Sequence, residues 1–217
     1  PAVRRSAGRA TPQRTARDVL RTPDDQTRFA YTVTTQLAWV AVDGGAVRPL
    51  GAPVALASAE LSPDEKVVLV QRFTLPAPLG FPASLFPRRV ELWPTDGGAP
   101  IALGDVPLND RSAIASVAPL GPREFTFAPD GRSLWFASWE DTKGASPQAA
   151  VRDTALPPPG ADRILRLEAP FTGAPVEFTR AAFPVDGLLF TWDGGRVIVY
   201  EGYEPRRVER QTWFDAR

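Results

Sequence analysis

The sequence contains no cysteine, no histidine and no methionine, and lysine supplies only two of its 25 basic residues, Lys66 and Lys143. Without cysteine the chain has no disulfides, thiolate nucleophiles or cysteine-ligated zinc. Without histidine it lacks the usual general base, the histidine of a Ser/His/Asp triad and the commonest metal ligand. The 217 residues therefore cannot carry out serine-hydrolase chemistry by themselves.

Long apolar runs are absent as well. The longest, Leu37 to Val42, has six residues, whereas a membrane-spanning helix needs about 20. We expect a soluble chain with one sizeable core and no membrane partner, while cytoplasmic and periplasmic locations both stay open. Because methionine is missing, we expect Pro1 to begin a processed or partial product. The excess of arginine over lysine, with much alanine and proline, indicates the codon bias of a GC-rich bacterium.

Charge is balanced overall but concentrated at the start of the chain. Residues 1–21 hold six arginines and one aspartate, a net charge of +5, which leaves −5 for the rest. A basic arm of this kind could contact nucleic acid or a membrane. No second basic cluster and no interleaved aromatic residues support that interpretation. We therefore expect a terminal segment that is poorly ordered or docks on a partner, with no nucleic-acid function.

A tight turn followed by an apolar strand occurs four times along the chain. Each turn carries an aspartate in the same column, and proline precedes it in three of the four. Proline presets the backbone of a type I turn and aspartate bonds the backbone that follows, so the pattern indicates strand-to-strand connections. The turns are 22–25, 62–65, 128–131 and 191–194, and the strands that follow are 28–33, 67–70, 134–137 and 197–200.

Further strands complete each repeat. A second apolar strand ends in an Asp-Gly-Gly or Thr-Gly turn, which is a strong hairpin signal, and a short outer strand follows it. The unit is thus a meander of four antiparallel strands with a basic period of about 40 to 50 residues, which is typical of propeller blades. The second strands are 37–42, 90–93 and 164–167, the outer strands are 47–50, 100–103 and 175–178, and 211–214 is the third strand of the last unit.

These repeats predict an all-β fold, a β-propeller of about four four-stranded blades. After the arm at 1–21, the blades lie near 22–55, 56–110, 111–182 and 183–217. The last blade lacks an outer strand, so we expect part of a larger propeller, typically seven-bladed, rather than a closed four-bladed ring.

Two insertions lengthen the later repeats, at 73–89 and 138–162. Connections in a meander alternate between its two ends, so the insertions should lie at the end opposite the tight turns. That end is the expected contact surface.

Standard catalytic motifs are missing: there is no Gly-x-Ser-x-Gly elbow, phosphate-binding loop or histidine-based metal spacing. The adjacent carboxylates Asp64-Glu65 and Glu140-Asp141 fall in or beside turns, where solvated side chains are the default. Most of the six tryptophans fall at equivalent strand positions, which favours packing between blades over ligand stacking. We predict no catalytic residue, no metal site and no cofactor. The tryptophans are Trp39, Trp93, Trp135, Trp139, Trp192 and Trp213.

Arg123 is the one candidate binding residue. It precedes the innermost strand of the third unit, so its guanidinium could reach the central channel and meet an acidic group. Two interpretations stay open, a structural ion pair and a contact with an acidic side chain of a peptide substrate.

Five stretches form an ordered series along the chain, together with the Pro-Asp turns described above: 82–93, 121–127, 134–141, 162–175 and 206–213. The Pro-Asp turns are generic and are shared with TolB-type proteins. The series resembles the N-terminal propeller of glutamyl endopeptidase-like members of the prolyl oligopeptidase family, over roughly residues 55–217. The resemblance implies a parent serine peptidase in which a C-terminal α/β-hydrolase domain carries the catalytic Ser, Asp and His while the propeller restricts peptide access. None of those three residues can be placed on this chain.

The predicted partners are accordingly that hydrolase domain and a peptide substrate, with homo-oligomerisation left open. The alternative is a TolB-like propeller scaffold that binds proteins through its insertion end and has no peptidase domain. A propeller hydrolase acting through paired carboxylates is disfavoured, because no channel-lining pair is found.

Overall fold

The computed structural model describes residues 18–108, 121–139, 162–203 and 208–216, which form one α-helix, one short 3-10 helix and twelve strands. Some sequence predictions lie outside these residues: most of the basic arm, most of the insertion at 138–162, Lys143 and the Glu140-Asp141 pair. The elements are α1 (Pro23–Val33), β1 (Thr34–Val40), β2 (Val47–Leu61), β3 (Val67–Phe73), the 3-10 helix (Ala83–Leu85), β4 (Arg88–Pro94), β5 (Ile101–Val106), β6 (Gly121–Phe127), β7 (Ser133–Trp139), β8 (Arg163–Glu168), β9 (Val176–Arg180), β10 (Val185–Phe190), β11 (Arg196–Tyr203) and β12 (Val208–Asp215).

The strands form three sheets, each an antiparallel meander in chain order. The first sheet contains β1 to β5, the second β6 to β9 and the third β10 to β12. The predicted all-β fold is therefore confirmed. No helix within the described ranges is long and apolar enough to cross a membrane.

The predicted strand at 28–33 is wrong, because this segment is the helix α1. Thr22 caps it: its Oγ1 accepts a hydrogen bond from the Asp25 N–H over 3.1 Å, and Asp25 Oδ2 accepts one from the Thr22 N–H over 2.9 Å. Pro23 occupies the first helical turn, where a missing N–H costs nothing. The Thr-Pro-Asp-Asp sequence thus forms a capping box rather than a strand-to-strand turn.

The first predicted unit is not a separate four-stranded meander. Its boundary near residue 55 falls inside β2, a 15-residue strand that pairs with β1 up to Ala55 and with β3 from Leu56 onwards. The hairpin of β1 and β2 folds back over one face of the first sheet, where Leu37 packs against Val68. The first sheet extends from Thr34 to Val106 and so spans the ranges predicted near 22–55 and 56–110, while the second and third sheets lie within 111–182 and 183–217. The division into propeller blades stays a prediction.

The three remaining turns have equivalent geometry. In each, the N–H of the first turn residue donates to the carbonyl oxygen of the residue that starts the next strand. An N–H at the end of the strand after that one donates to the carbonyl oxygen of the residue that follows the turn. Each turn aspartate also accepts a backbone N–H two residues ahead. The donor–acceptor pairs that close the turns are Ser62 to Val67 (2.9 Å), Ala128 to Ser133 (2.9 Å) and Thr191 to Arg196 (3.0 Å).

The sheets pack face to face in chain order. Leu92 of the first sheet and Phe136 of the second share one apolar cluster. Trp135, on the opposite face of the second sheet, shares another with Val197 of the third. Successive side chains of β7 therefore point alternately toward the first and the third sheet, as expected for a sheet that is buried on both faces.

The tryptophans divide into two groups. Trp93, Trp135 and Trp139 are buried and Trp39 is partly buried, in agreement with a packing role. Trp192 is 98% exposed and Trp213 54% exposed, so packing between the described sheets does not account for these two.

The insertion between β3 and β4 lies at the end predicted for it. The opposite end carries the β2–β3 and β4–β5 turns, which Thr95 joins by donating from Oγ1 to the Glu65 carbonyl oxygen over 2.9 Å. The insertion instead contacts the N-terminal segment: Gly80 N–H donates to the Leu20 carbonyl oxygen over 2.8 Å. Phe86, at its end, makes an edge contact with Phe29 of α1.

Candidate functional site

A cleft of about 480 Å³ lies between the first and second sheets and combines charged side chains with an apolar floor. The second half of β2 and the neighbouring strands β3 and β4 form one wall, and β6 forms the other. We call it the β2–β6 cleft, after the strands that lead the two sheets. Its polar lining residues are Ser58, Glu60, Gln71, Arg88, Arg123 and Glu124.

Arg123 forms an ion pair with Asp162 beside this cleft. Its side chain is 10% exposed, and the Asp162 side chain is fully buried. Asp162 Oδ2 accepts hydrogen bonds from Arg123 Nη2 and, over 2.7 Å, from the Val185 N–H. Asp162 precedes β8 and Val185 begins β10, so the pair links β6 to both strands. A buried aspartate needs such partners, since an unpaired charge at this depth is strongly unfavourable.

Glu124 is the strained residue of the cleft. Its φ of +52° is uncommon for a residue with a side chain, and it lies in the bulge that interrupts the pairing of β6 with β7. Burial raises the pKa of Glu124; the charge of Arg123 opposes the rise and those of Asp186 and Asp162 add to it. Strain and a perturbed acid at one position are features often found together at functional sites.

Arg88 and Asp186 extend the charged group on either side of β6. Burial lowers the pKa of Arg88, and Glu124 partly opposes the shift. Within the described part of the chain, Nε of Arg88 is buried without a hydrogen-bond partner. Burial also raises the pKa of Asp186, with Arg123 opposing and Asp162 adding to the effect. The cluster thus holds two cations and three acids, contributed by β4, β6, the residue before β8, and β10.

The arrangement presents charged groups to a ligand. The described residues contain no group of three metal-ligating side chains. Partly desolvated cations and acids can pair with the charged groups of a peptide. The electrostatic attraction between such paired groups is stronger where water is excluded.

Sequence reasoning found one member of the cluster and missed the others. Arg123 was the candidate, and the structure brings it together with Asp162. Arg88, Glu124 and Asp186 were not singled out, although Glu124 follows Arg123 directly. The positive φ of Glu124 and the proximity of β10 give no signal in the sequence itself. The Asp64-Glu65 pair lies in a turn, as predicted, where Asp64 accepts from Ser62 Oγ.

Comparison with known proteins relates the chain to peptidase sequences. It is 33% identical over 142 residues to a protein of Oryza sativa subsp. japonica named probable glutamyl endopeptidase, chloroplastic, and covers 15% of that protein with 64% of its own length. It is 29% identical over 202 residues to the Arabidopsis thaliana protein of the same name, with 92% of this chain and 20% of that protein matched. The chain therefore spans a small part of these relatives.

No family model matches the sequence. Among solved structures, a putative 6-phosphogluconolactonase from Bacteroides uniformis aligns with 91% of the chain and 54% of its own at 14% identity and a TM-score of 0.37. Another from Bacteroides fragilis aligns with 84% and 65%, at 10% identity and a TM-score of 0.32. Likeness at this level carries no argument about function. The chain is thus similar in sequence to part of two plant proteins named as probable glutamyl endopeptidases.

Proposed function

We propose that this chain is the non-catalytic β-propeller part of a longer bacterial serine peptidase of the prolyl oligopeptidase family. The observation that carries the proposal is its similarity to plant proteins named glutamyl endopeptidase, of which it spans 15% and 20%. Because the chain lacks histidine, the catalytic Ser, Asp and His belong to an α/β-hydrolase domain elsewhere in the parent protein.

The propeller is supported by the way the sheets succeed one another. The leading strands are the second half of β2, which pairs with β3, together with β6 and β10, which begin the second and third sheets. The β2–β6 cleft lies between the first two, and β6 contacts β10 directly. Sheets that stack face to face through shared apolar clusters, as these do, are typical of blades around an axis.

In this proposal the propeller controls which peptides reach the hydrolase domain. The charged cluster beside the β2–β6 cleft lies, in this proposal, next to the path that an entering peptide follows. Arg123 is the proposed contact for an acidic side chain of the peptide. An incoming carboxylate would share the guanidinium with Asp162, which is held in place by the Val185 N–H.

The parent enzyme, assayed with matched peptides carrying glutamate or glutamine at the cleaved position, tests this function. We expect preferential cleavage of the glutamate peptide and no cleavage by residues 1–217 alone. Arg123→Ala should reduce the preference about tenfold or more, since it removes a charge-assisted hydrogen bond. The double variant Arg123→Ala/Asp162→Asn is the control, because it removes the uncompensated buried aspartate that the single variant leaves behind. An unchanged preference in both variants would contradict the role of Arg123.

A TolB-like scaffold without a peptidase domain is the second candidate. The insertion end favours it, since α1 and the segment 74–87 together form a surface that is separate from the tight turns. The parent reading frame distinguishes the two candidates. A peptidase encodes Gly-x-Ser-x-Gly followed by Asp and His, whereas a scaffold does not require them. The parent protein of a scaffold would cleave neither the glutamate nor the glutamine peptide.

A further inference from the structure

Arg88 begins β4 and lies on the same face of that strand as Val90 and Leu92. Side chains two residues apart in a strand point to the same face of the sheet. Val90 and Leu92 are buried in the apolar cluster that the first sheet shares with the second. Arg88 therefore extends between the two sheets, where it lines the β2–β6 cleft on the wall opposite Arg123.

The guanidinium of Arg88 lacks the partner that a buried cation needs. Its Nε is buried and donates to no acceptor in the described part of the chain. The charge of Glu124 acts on Arg88 without a hydrogen bond to that nitrogen. Nε of Arg166 is also buried without a hydrogen bond, but that side chain has an ion pair with Glu168. Because buried polar groups are almost always hydrogen-bonded in folded proteins, Arg88 Nε is a donor available to a ligand.

Two other arginines show which group fits this edge of a guanidinium. Arg72 donates from Nε to Glu91 Oε2 over 3.1 Å and from Nη2 to Oε1 over 3.0 Å. Arg180 donates from the same two nitrogens to the two carboxylate oxygens of Glu177, over 2.6 and 3.1 Å. A carboxylate suits the edge because both of its oxygens are bound at once. The acceptor that matches Arg88 is therefore a carboxylate.

The charge and lining of the cleft favour a carboxylate over a phosphate group. Two acids, Glu60 and Glu124, line the cleft and repel a doubly charged anion more strongly than a singly charged one. Leu69 and Phe125 provide apolar surface for the methylene groups of an acidic side chain. The volume of about 480 Å³ is typical of pockets that bind small groups. The acidic side chain of a peptide has these properties.

We propose that Arg88 is a second carboxylate-binding residue of the β2–β6 cleft, and that it binds an acidic side chain of the peptide at a position other than the cleaved one. This inference rests on the proposed function, in which Arg123 contacts the acidic side chain at the cleaved position. One guanidinium edge binds both oxygens of one carboxylate, so two arginines on opposite walls accommodate two acidic side chains. The parent enzyme should therefore prefer peptides that carry a second acidic residue.

Peptide binding to the parent protein tests this assignment. Each peptide carries glutamate at the cleaved position, an N-methylated amide after it that prevents cleavage, and fluorescein for measuring Kd by anisotropy. Glutamine occupies the other positions and is replaced by glutamate at one position at a time. We expect one position at which glutamate lowers Kd about tenfold or more, because it gains charge-assisted hydrogen bonds.

Two variants separate the paired hydrogen bonds from charge alone. Arg88→Ala removes the guanidinium, and Arg88→Lys keeps the positive charge but loses the two-nitrogen edge. Both should reduce the gain to about twofold or less, and neither should change the preference for glutamate at the cleaved position. Arg132→Ala is the control, because Arg132 is exposed in the turn between β6 and β7 and should leave the gain intact.

Urea unfolding of the Arg88 variants distinguishes ligand binding from a structural role. We expect the unfolding midpoint not to fall in either variant, since Arg88 Nε makes no hydrogen bond within the described ranges that the substitution could remove. Lower midpoints in both variants would identify Arg88 as a structural cation and overturn the assignment.

Three binding results would also overturn it. Glutamate could lower Kd at no position, the gain could persist in both Arg88 variants, or Arg132→Ala could abolish the gain as well. Failure of the proposed function is recognised separately in the same peptide set: glutamate at the cleaved position would bind no better than glutamine, and the unmethylated peptides would not be cleaved.

Discussion

Both the backbone conformation and the surroundings of Gly131 disfavour a side chain at this position. Its φ of +70° lies in the left-handed region, and the space that a Cβ would need is taken by Asp64 of the neighbouring sheet. Gly131→Ala should lower the free energy of unfolding by about 2 to 4 kcal/mol, from backbone strain and overpacking together. Denaturant unfolding measures the loss.

Gly97→Ala is the matched control for this substitution. Gly97 also has a positive φ, +92°, but nothing lies within 4 Å of its Cβ position. It should cost only the backbone strain, about 1 to 2 kcal/mol. Equal losses at the two glycines would show that contact between the turns adds nothing.

Glu124 should make stability fall as pH rises. Burial raises its pKa in the folded state, so the folded protein binds more protons than the unfolded chain above the unfolded pKa of about 4.3. The stability that the neutral acid contributes is present below that pH and is lost as pH rises through the folded pKa. Glu124→Gln should therefore stabilise the protein at pH 7 and have little effect near pH 4. Denaturant unfolding at both pH values, with the exposed Glu209→Gln as control, tests the sign; an equal effect at both would contradict it.

For single residues, the sequence predicts what depends on residue type and not what depends on packing. The lack of histidine excluded the triad from the sequence alone, and the position of Arg123 in the third unit predicted an acidic neighbour. The structure places Arg123 inside β6 rather than before it. Asp162 as that neighbour could not be deduced, because it lies 39 positions away and meets Arg123 only when β8 and β10 pack beside β6. The pKa of Glu124 depends on the same packing.

At the scale of elements, α1 depends on its capping box. Thr22→Ala removes the Oγ1 acceptor of the Asp25 N–H and should destabilise the helix by about 1 kcal/mol. Hydrogen exchange of the α1 amides measures the effect. Thr27→Ala is the control, since its hydroxyl bonds only the Pro23 carbonyl oxygen within the same helix. Comparable acceleration of exchange in both variants would refute the cap.

Helix α1 also shows that a four-residue turn pattern does not by itself predict whether a helix or a strand follows. Thr-Pro-Asp-Asp at 22–25 and Ser-Pro-Asp-Glu at 62–65 are alike in type, yet one starts a helix and the other closes a turn. The difference lies in what each segment packs against: Phe29 contacts Phe73 and Phe86 from the outside of the sheet. Strands at the three later repeats were predicted because alternation and turn chemistry agree there.

At the scale of the whole molecule, the sheets behave as successive copies of one layer. The second sheet packs one face on the first sheet and the other on the third, through side chains that alternate along β7. The sequence repeats indicated these layers, but the long β2 that joins the hairpin to the first sheet was not foreseen. Pro49, Gly51 and Pro53 lie just before this strand changes partners at Ala55, and Gly51 has a φ of +68°. Such residues are typical of turns and strand ends, so the sequence does not predict one continuous strand there.

We propose that catalysis belongs to another part of the parent protein. Labelling the purified parent with a fluorophosphonate probe for active serines, followed by mapping of the labelled peptide, is the decisive test. We expect a single labelled serine outside residues 1–217, in a Gly-x-Ser-x-Gly sequence. A label on a serine within these residues, or no label on an intact parent, would contradict it.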